Sequence, residues 1–305
     1  MLVGREVERA RIEALLEAGR RGRTGTLVVA GEPGIGKTAL LEDAVALAAG
    51  MRVLRLTAVE AESALPFGGL HAVLRPLVDR LPGLDEPQER ALRVALALAA
   101  GDEPDVLAVN AGTLGLLAEA AQERPVLVAI DDAHWLDGPS GDALAFAARR
   151  LEGEELVFLL TVRAGEASSF DRGFERLELG PLARSDAQRL LPQRLEPVPA
   201  LAIGRMLDIA RGNPLALLEL PAALAEDAPA EDVDPPDRVR RAFAARLDTL
   251  PARSKRVLAL AAAEPDPVVV RIASEQLGLE SSDSSPRRQR ASSVSSRRAS
   301  SSGTR

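Results

Sequence analysis

The chain has no cysteine, no tyrosine, two histidines and one tryptophan, and aromatic residues make up 2% of its 305 positions. Without cysteine it forms neither a disulfide nor a thiolate metal site, a composition that fits a reducing cytoplasm, where the protein is expected. Two histidines alone do not furnish a zinc ligand set. So few aromatic rings leave little from which to build a base-stacking surface for nucleic acid. No apolar run approaches the ~18 residues of a membrane-spanning helix. The opening Met1-Leu2-Val3-Gly4-Arg5-Glu6 turns charged before any signal-peptide core, so no membrane partner is expected. Lysine is scarce too, Lys37 and Lys255 being the two among 38 basic residues.

One of those two lysines stands in Gly31-Glu32-Pro33-Gly34-Ile35-Gly36-Lys37-Thr38, which reads G-x-x-x-x-G-K-T. With so little lysine in the chain, a chance match is a poor explanation. The flanks agree: Thr26 to Ala30 is apolar like a buried parallel strand, and Thr38 to Ala49 consists of helix formers closed by Gly50. Glycines let backbone N–H groups approach an anion, and the following helix N-terminus adds partial positive charge. The pattern implies a nucleoside triphosphate on Gly31, Pro33, Gly34, Ile35, Gly36, Lys37, Thr38 and Ala39. Lys37 would meet the β- and γ-phosphates and the Thr38 hydroxyl would hold Mg²⁺.

Val126-Leu127-Val128-Ala129-Ile130 is the strongest strand pattern, and Asp131 and Asp132 follow it directly. Acids at a strand's C-terminal end stand where ligands bind in open α/β sheets. One would serve Mg²⁺ through water, the other would orient or deprotonate an attacking water. Arg163 ends the next strand, Leu156 to Thr161, where a cation would sense the γ-phosphate or steady its charge. His134 and Trp135 read as loop-packing residues, and His71 as part of an apolar helix. The guanine-reading Asn-Lys-x-Asp is absent, since Lys255 sits in Ser254-Lys255-Arg256. A small-molecule kinase stays open as an alternative.

Strands at 26–30, 52–57, 126–130, 156–161 and 176–179 alternate with helices at 6–20, 38–49, 67–81, 88–100, 104–122 and 140–151, the last N-capped by Asp137. This implies a parallel sheet covered on both faces, an α/β fold. Beyond Leu182 the periodicity is helical, at 184–191, 200–210, 214–225, 238–249 and 253–263. Residues 281–305 hold eleven Ser and six Arg against one Asp, and are expected to be disordered. That tail carries +5 of a net −7, which leaves −12 on the first 280 residues. Its arginines imply weak, salt-sensitive affinity for DNA, with no sequence-specific reading by this chain.

Leu2 to Glu6, the loop Gly31 to Thr38, Val126 to Asp137 (VLVAIDDAHWLD) and Leu159 to Arg163, in this order, resemble the AAA-type ATPase module of STAND signalling proteins. They are most similar to the N-terminal part of large LuxR-type (MalT-like) transcriptional regulators. Gly180-Pro181-Leu182 and Arg211-Gly212-Asn213-Pro214 resemble that family's helical-domain motifs. The resemblance implies a three-layer αβα P-loop NTPase domain at 1–180 and a helical lid domain at 181–232. An incomplete winged-helix-like domain would follow at 233–280, before the tail at 281–305. It implies Val3, Gly4 and Arg5 against adenine and ribose, Asp131 serving Mg²⁺, Asp132 as the hydrolytic acid, Arg163 as the strand-end sensor and Pro214 on the base. ATP and ADP would be the ligands, and ATP would be hydrolysed slowly, because such ATPases commonly carry Glu where Asp132 stands. Self-association on activation and an unknown inducer or protein partner are further expectations. A long sensor region and a DNA-binding domain usually follow in such regulators, so a truncated fragment is expected here, with a stand-alone ATPase as the alternative.

Overall fold

The computed structural model describes residues 2–191 and 200–218. All lie in one unit, Met1–Ala228, whereas the readings made for 233–280, for the tail at 281–305 and for helices beyond residue 218 fall outside the described residues. Strands β1 (Gly25–Gly31), β2 (Arg52–Thr57), β3 (Val126–Asp131), β4 (Leu156–Arg163) and β5 (Glu175–Leu179) form one sheet in the order β2-β3-β4-β1-β5. Every neighbouring pair is parallel.

A parallel sheet buried on both faces needs apolar residues at odd and even positions alike. Val28, Ala30, Val128, Ile130, Phe158 and Leu160 belong to one core, shared with helices α3 (Gly68–Leu74), α4 (Glu86–Ala95), α5 (Val106–Glu123) and α6 (Gly138–Arg150). Their sequence neighbours Leu27, Val29, Leu127, Ala129, Val157 and Leu159 belong to the other, packed against Ile12 and Leu16 of α1 (Glu6–Gly19) and Leu40 and Leu41 of α2 (Lys37–Leu47). The result is a three-layer αβα fold. Phe158 is fully buried at its centre, and its truncation to alanine would cost about 3–5 kcal/mol.

The helix expected over 67–81 departs from its reading. α3 ends at Leu74 and a 3₁₀ helix takes over from Arg75 to Gly83, because Pro76 and Pro82 lack the N–H that an α-helical ladder needs. The helix expected at 88–100 runs from Glu86 to Ala95, with Pro87 in its first turn, where a missing donor costs nothing. Asp137 caps α6 by accepting from the Ser140 N–H at 3.0 Å. It also accepts from the Phe67 and Gly69 N–H groups, and so fastens the start of α3 to the start of α6. After β5 come α7 (Arg184–Leu190), α8 (Ala200–Ala210) and a helical turn at 214–218.

Candidate functional site

Register decides what meets at the C-terminal edge of the sheet. β4 lies between β1 and β3, with Gly31 opposite Arg163 and Ile130 opposite Leu160, which brings Asp131 level with Thr161. The glycine loop, the acid pair and the strand-end arginine, spread over more than a hundred positions in sequence, therefore share one edge. The loop, Asp132 and Arg163 border a cleft of about 480 Å³, within the size range of small-molecule sites, whereas Asp131 is buried and does not line it. One wall is Pro33, Gly34, Gly36, Lys37, Thr38 and Ala39; another is Asp132, His134, Trp135 and Arg163; the third is Pro214, Leu215 and Leu218.

The loop is shaped by glycines in the left-handed region, Gly34 at φ 75° and Gly36 at φ 101°. Lys37 is 8% exposed and its Nζ donates to the carbonyls of Gly31 (2.9 Å) and Glu32 (3.0 Å). Burial lowers its pKa below 10.5, against the opposing pull of Asp132, Asp131 and Glu32. Three further loop carbonyls accept hydrogen bonds from outside the loop. Pro33 O takes the Asn213 Nδ2 (2.9 Å), Gly34 O the Leu215 N–H (3.2 Å) and Ile35 O the Arg5 Nη2 (3.0 Å).

With the carbonyls so engaged, the N–H groups of Gly34, Gly36, Lys37, Thr38 and Ala39 have no protein acceptor among the described residues. A row of unpaired donors at a helix N-terminus beside a buried lysine is a donor set that fits a polyphosphate. No group of three or more His, Cys, Asp or Glu suited to holding a metal occurs among the described residues. A magnesium ion on Thr38 and the acid pair would therefore complete its shell with phosphate oxygens and water.

Asp131 is 3% exposed, and its carboxylate accepts the hydroxyl proton of Thr161. The same hydroxyl oxygen accepts the Asp132 N–H at 2.8 Å, so one buried threonine fixes both acids. Asp132 sits at φ 52°, ψ 44°, a left-handed conformation costing a non-glycine residue about 1–2 kcal/mol, and it lines the cleft. His134 Nδ1 accepts the Arg163 N–H at 3.4 Å, and burial holds its pKa below 6.5. His134 and Trp135 pack tilted, with ring centroids 4.9 Å apart. Both line the cleft in addition to packing their loop.

Not every expected residue reaches the cleft. Val3, Gly4 and Arg5 are absent from its walls. Arg5 is 6% exposed, and its guanidinium donates to Ile35 O, Gly180 O and Glu8. Through the Ile35 and Gly180 carbonyls it braces the loop against the segment after β5. Ile35 turns its side chain into the core beside α1 and α2, and His71, whose Nδ1 lies 2.9 Å from Leu96 O, does not line the cleft. Sequence reasoning missed Thr161, Asn213, Leu215 and Leu218. A lone hydroxyl inside the apolar run of β4 was the available signal for Thr161. Asn213 carried a cap signal ahead of Pro214 but nothing that named Pro33, 180 positions away, as its partner.

Residues 1–160 match the family model of the AAA ATPase domain. A curated relative of Rhizobium meliloti (strain 1021), described as uncharacterized, is 26% identical over 240 residues. The match covers 66% of this chain and 22% of that protein's length. Among solved structures, the Walker-type ATPase of Pyrococcus abyssi is similar at a TM-score of 0.48 and 15% identity, covering 87% of this chain and 77% of that one. A STAND protein of Pyrococcus horikoshii with a tetratricopeptide repeat sensor is similar at a TM-score of 0.46 and 17% identity, covering 84% and 34%.

Proposed function

The chain belongs to the AAA ATPase domain family, an ATPase module of the P-loop kind, and from that premise we propose that it works as an ATP-binding switch that hydrolyses its nucleotide slowly. The observation that carries this is the shared edge of β1, β3 and β4. There five N–H groups without a protein acceptor among the described residues, Lys37, Asp132 and Arg163 face one cleft whose far wall is Pro214, Leu215 and Leu218, while Thr161 holds Asp132 next to the buried Asp131. The polar walls suit a triphosphate and the apolar wall suits the base. Residues 1–180 would then be the nucleotide domain, and α7, α8 and the turn at 214–218 the described part of a lid.

Lys37 and the loop amides would hold the β- and γ-phosphates. Mg²⁺, held by Thr38 and by Asp131 through water, would neutralise phosphate charge when bound. Asp132, fixed by Thr161, would orient and deprotonate the attacking water. Its side chain is one methylene shorter than the glutamate usual in such ATPases, which supports slow turnover. Arg163 would meet charge on the γ-phosphate, its backbone N–H donating to His134 Nδ1. Pro214 would touch the base from the lid, so that one ligand bridges both parts and favours their closed arrangement.

The resemblance to LuxR-type regulators supports a place for this module in a longer signalling chain, consistent with its spanning 22% of the Rhizobium relative. Phosphate release, measured with Mg²⁺-ATP alone and with small-molecule acceptors, tests the reading. A switch releases phosphate slowly whatever the acceptor, a steady ATPase turns over repeatedly without one, and a phosphotransferase needs one.

A further inference from the structure

We propose that Asn213 is a positioning residue of the nucleotide site, whose carboxamide ties the seating of phosphates in the loop to the helical turn bearing Pro214, Leu215 and Leu218. The inference rests on reading Gly31 to Thr38 as the phosphate site.

Asn213 makes two side-chain bonds of different kinds. Its Oδ1 accepts from the Ala216 N–H at 3.2 Å, which caps the helical turn. Its Nδ2 donates to Pro33 O at 2.9 Å, and two residues on the Leu215 N–H donates to Gly34 O at 3.2 Å. The cap alone explains only the first bond. Aspartate or serine would cap equally well, but a carboxylate has no proton to donate and serine has a single polar atom on a shorter arm, whereas the amide accepts on Oδ1 and donates to a distant carbonyl from Nδ2.

The loop side of the contact gives that second bond a consequence. A trans peptide is planar with its N–H and C=O opposed, so holding Pro33 O on Asn213 turns the Gly34 N–H the other way. That N–H has no protein acceptor among the described residues. An anion on the Gly34 N–H and the Asn213 amide on Pro33 O would polarise one peptide from both ends, and each would strengthen the other. The approach is close: a Cβ on Gly34 would lie 2.8 Å from Leu215 Cβ and 2.9 Å from Asn213 Oδ1. Asn213 also stands on a firm mount. Its own N–H donates to Ala210 O, and Gly212 O accepts from the Leu182 N–H, each at 2.8 Å. Gly212, at φ 76°, could not carry a Cβ, which would fall 2.4 Å from Leu182 O. Phosphates alone, without a base, should thus steady the helical turn.

The test uses the full chain, wild type and Asn213→Ser, with Mg²⁺-pyrophosphate as the probe. Affinity is measured by calorimetry, and amide hydrogen exchange is followed in peptides covering 203–218. Wild type should bind pyrophosphate and show slower exchange at 213–218 on binding. Asn213→Ser keeps the cap but loses the bond to Pro33 O, so its melting temperature should fall slightly, and by less than that of Asn213→Ala. It should bind pyrophosphate about three- to tenfold more weakly, the worth of one net hydrogen bond, and lose the induced slowing. Asn213→Ala should show the same two losses and a lower melting temperature. Wild-type affinity and slowing in Asn213→Ser would reduce Asn213 to a cap and overturn the proposal. If wild type binds neither pyrophosphate nor ATP, the phosphate-site reading fails with it.

Discussion

Thr161→Val is the sharpest probe of how the acid pair is held. The replacement keeps the volume of a fully buried side chain and deletes its hydroxyl. Two hydrogen bonds go with it, one donated to the buried Asp131 carboxylate and one accepted from the Asp132 N–H. A bond to a charged group is worth about 1.5–3 kcal/mol and a neutral one about 0.5–1.5 kcal/mol. Valine offers neither orphaned group a new partner, so the expected loss is roughly 2–4 kcal/mol. For a unit of this size that lowers the melting temperature by roughly 5–15 °C. Thr161→Ser is the control, since it keeps the hydroxyl and loses about one buried methyl, worth roughly 1 kcal/mol. Thermal melts near neutral pH should rank wild type, serine, valine in falling order. A valine variant as stable as the serine one would refute the claim that the hydroxyl fixes both acids.

Asp132→Asn should bind ATP like wild type while phosphate release disappears, because the amide keeps the shape and cannot take up a proton; persistent release would move the hydrolytic role elsewhere. Gly34→Ala should cost at least the ~1–2 kcal/mol of a left-handed alanine, and more from overlap with Leu215 and Asn213, as read by urea denaturation. An alanine variant of wild-type stability would mean that the contact with Asn213 and Leu215 is not made. His134 is held below 6.5 first by burial, with Lys37 and Arg163 acting the same way and Asp132 and Glu166 opposing. The unfolded chain therefore takes up that proton first, and stability falls as pH drops below about 6.5. His134→Gln should flatten this part of the curve in melts between about pH 7 and pH 5, and an unchanged slope would refute it.

The sheet was legible because both its faces are buried. Runs such as Val126 to Ile130 and Leu156 to Leu160 have no polar position to blur them, and the strands fell within one or two residues of their reading. The phosphate loop was legible because its chemistry is local. What sequence could not yield were contacts made by folding alone. Arg5 opens the chain in a familiar pattern, but nothing in that pattern named the Ile35 and Gly180 carbonyls that take up its guanidinium. His134 looked like loop packing, and only the register of β4 beside β3 brings Arg163 to it. The 3₁₀ stretch at Arg75–Gly83 was misread because its apolar spacing outweighed two prolines that were plain to see.

Titration of the whole chain with Mg²⁺-ATP, set beside Lys37→Ala, tests the central claim most directly. Trp135 is the single tryptophan of the chain and lines the cleft, so its fluorescence follows occupancy alongside the calorimetric heat. Lys37 supplies the one lysine ammonium in the loop, and its removal would take away the cation proposed to meet the β- and γ-phosphates. Saturable binding by wild type that vanishes in Lys37→Ala is the predicted result. Equal affinity in both chains would contradict a phosphate site on this loop.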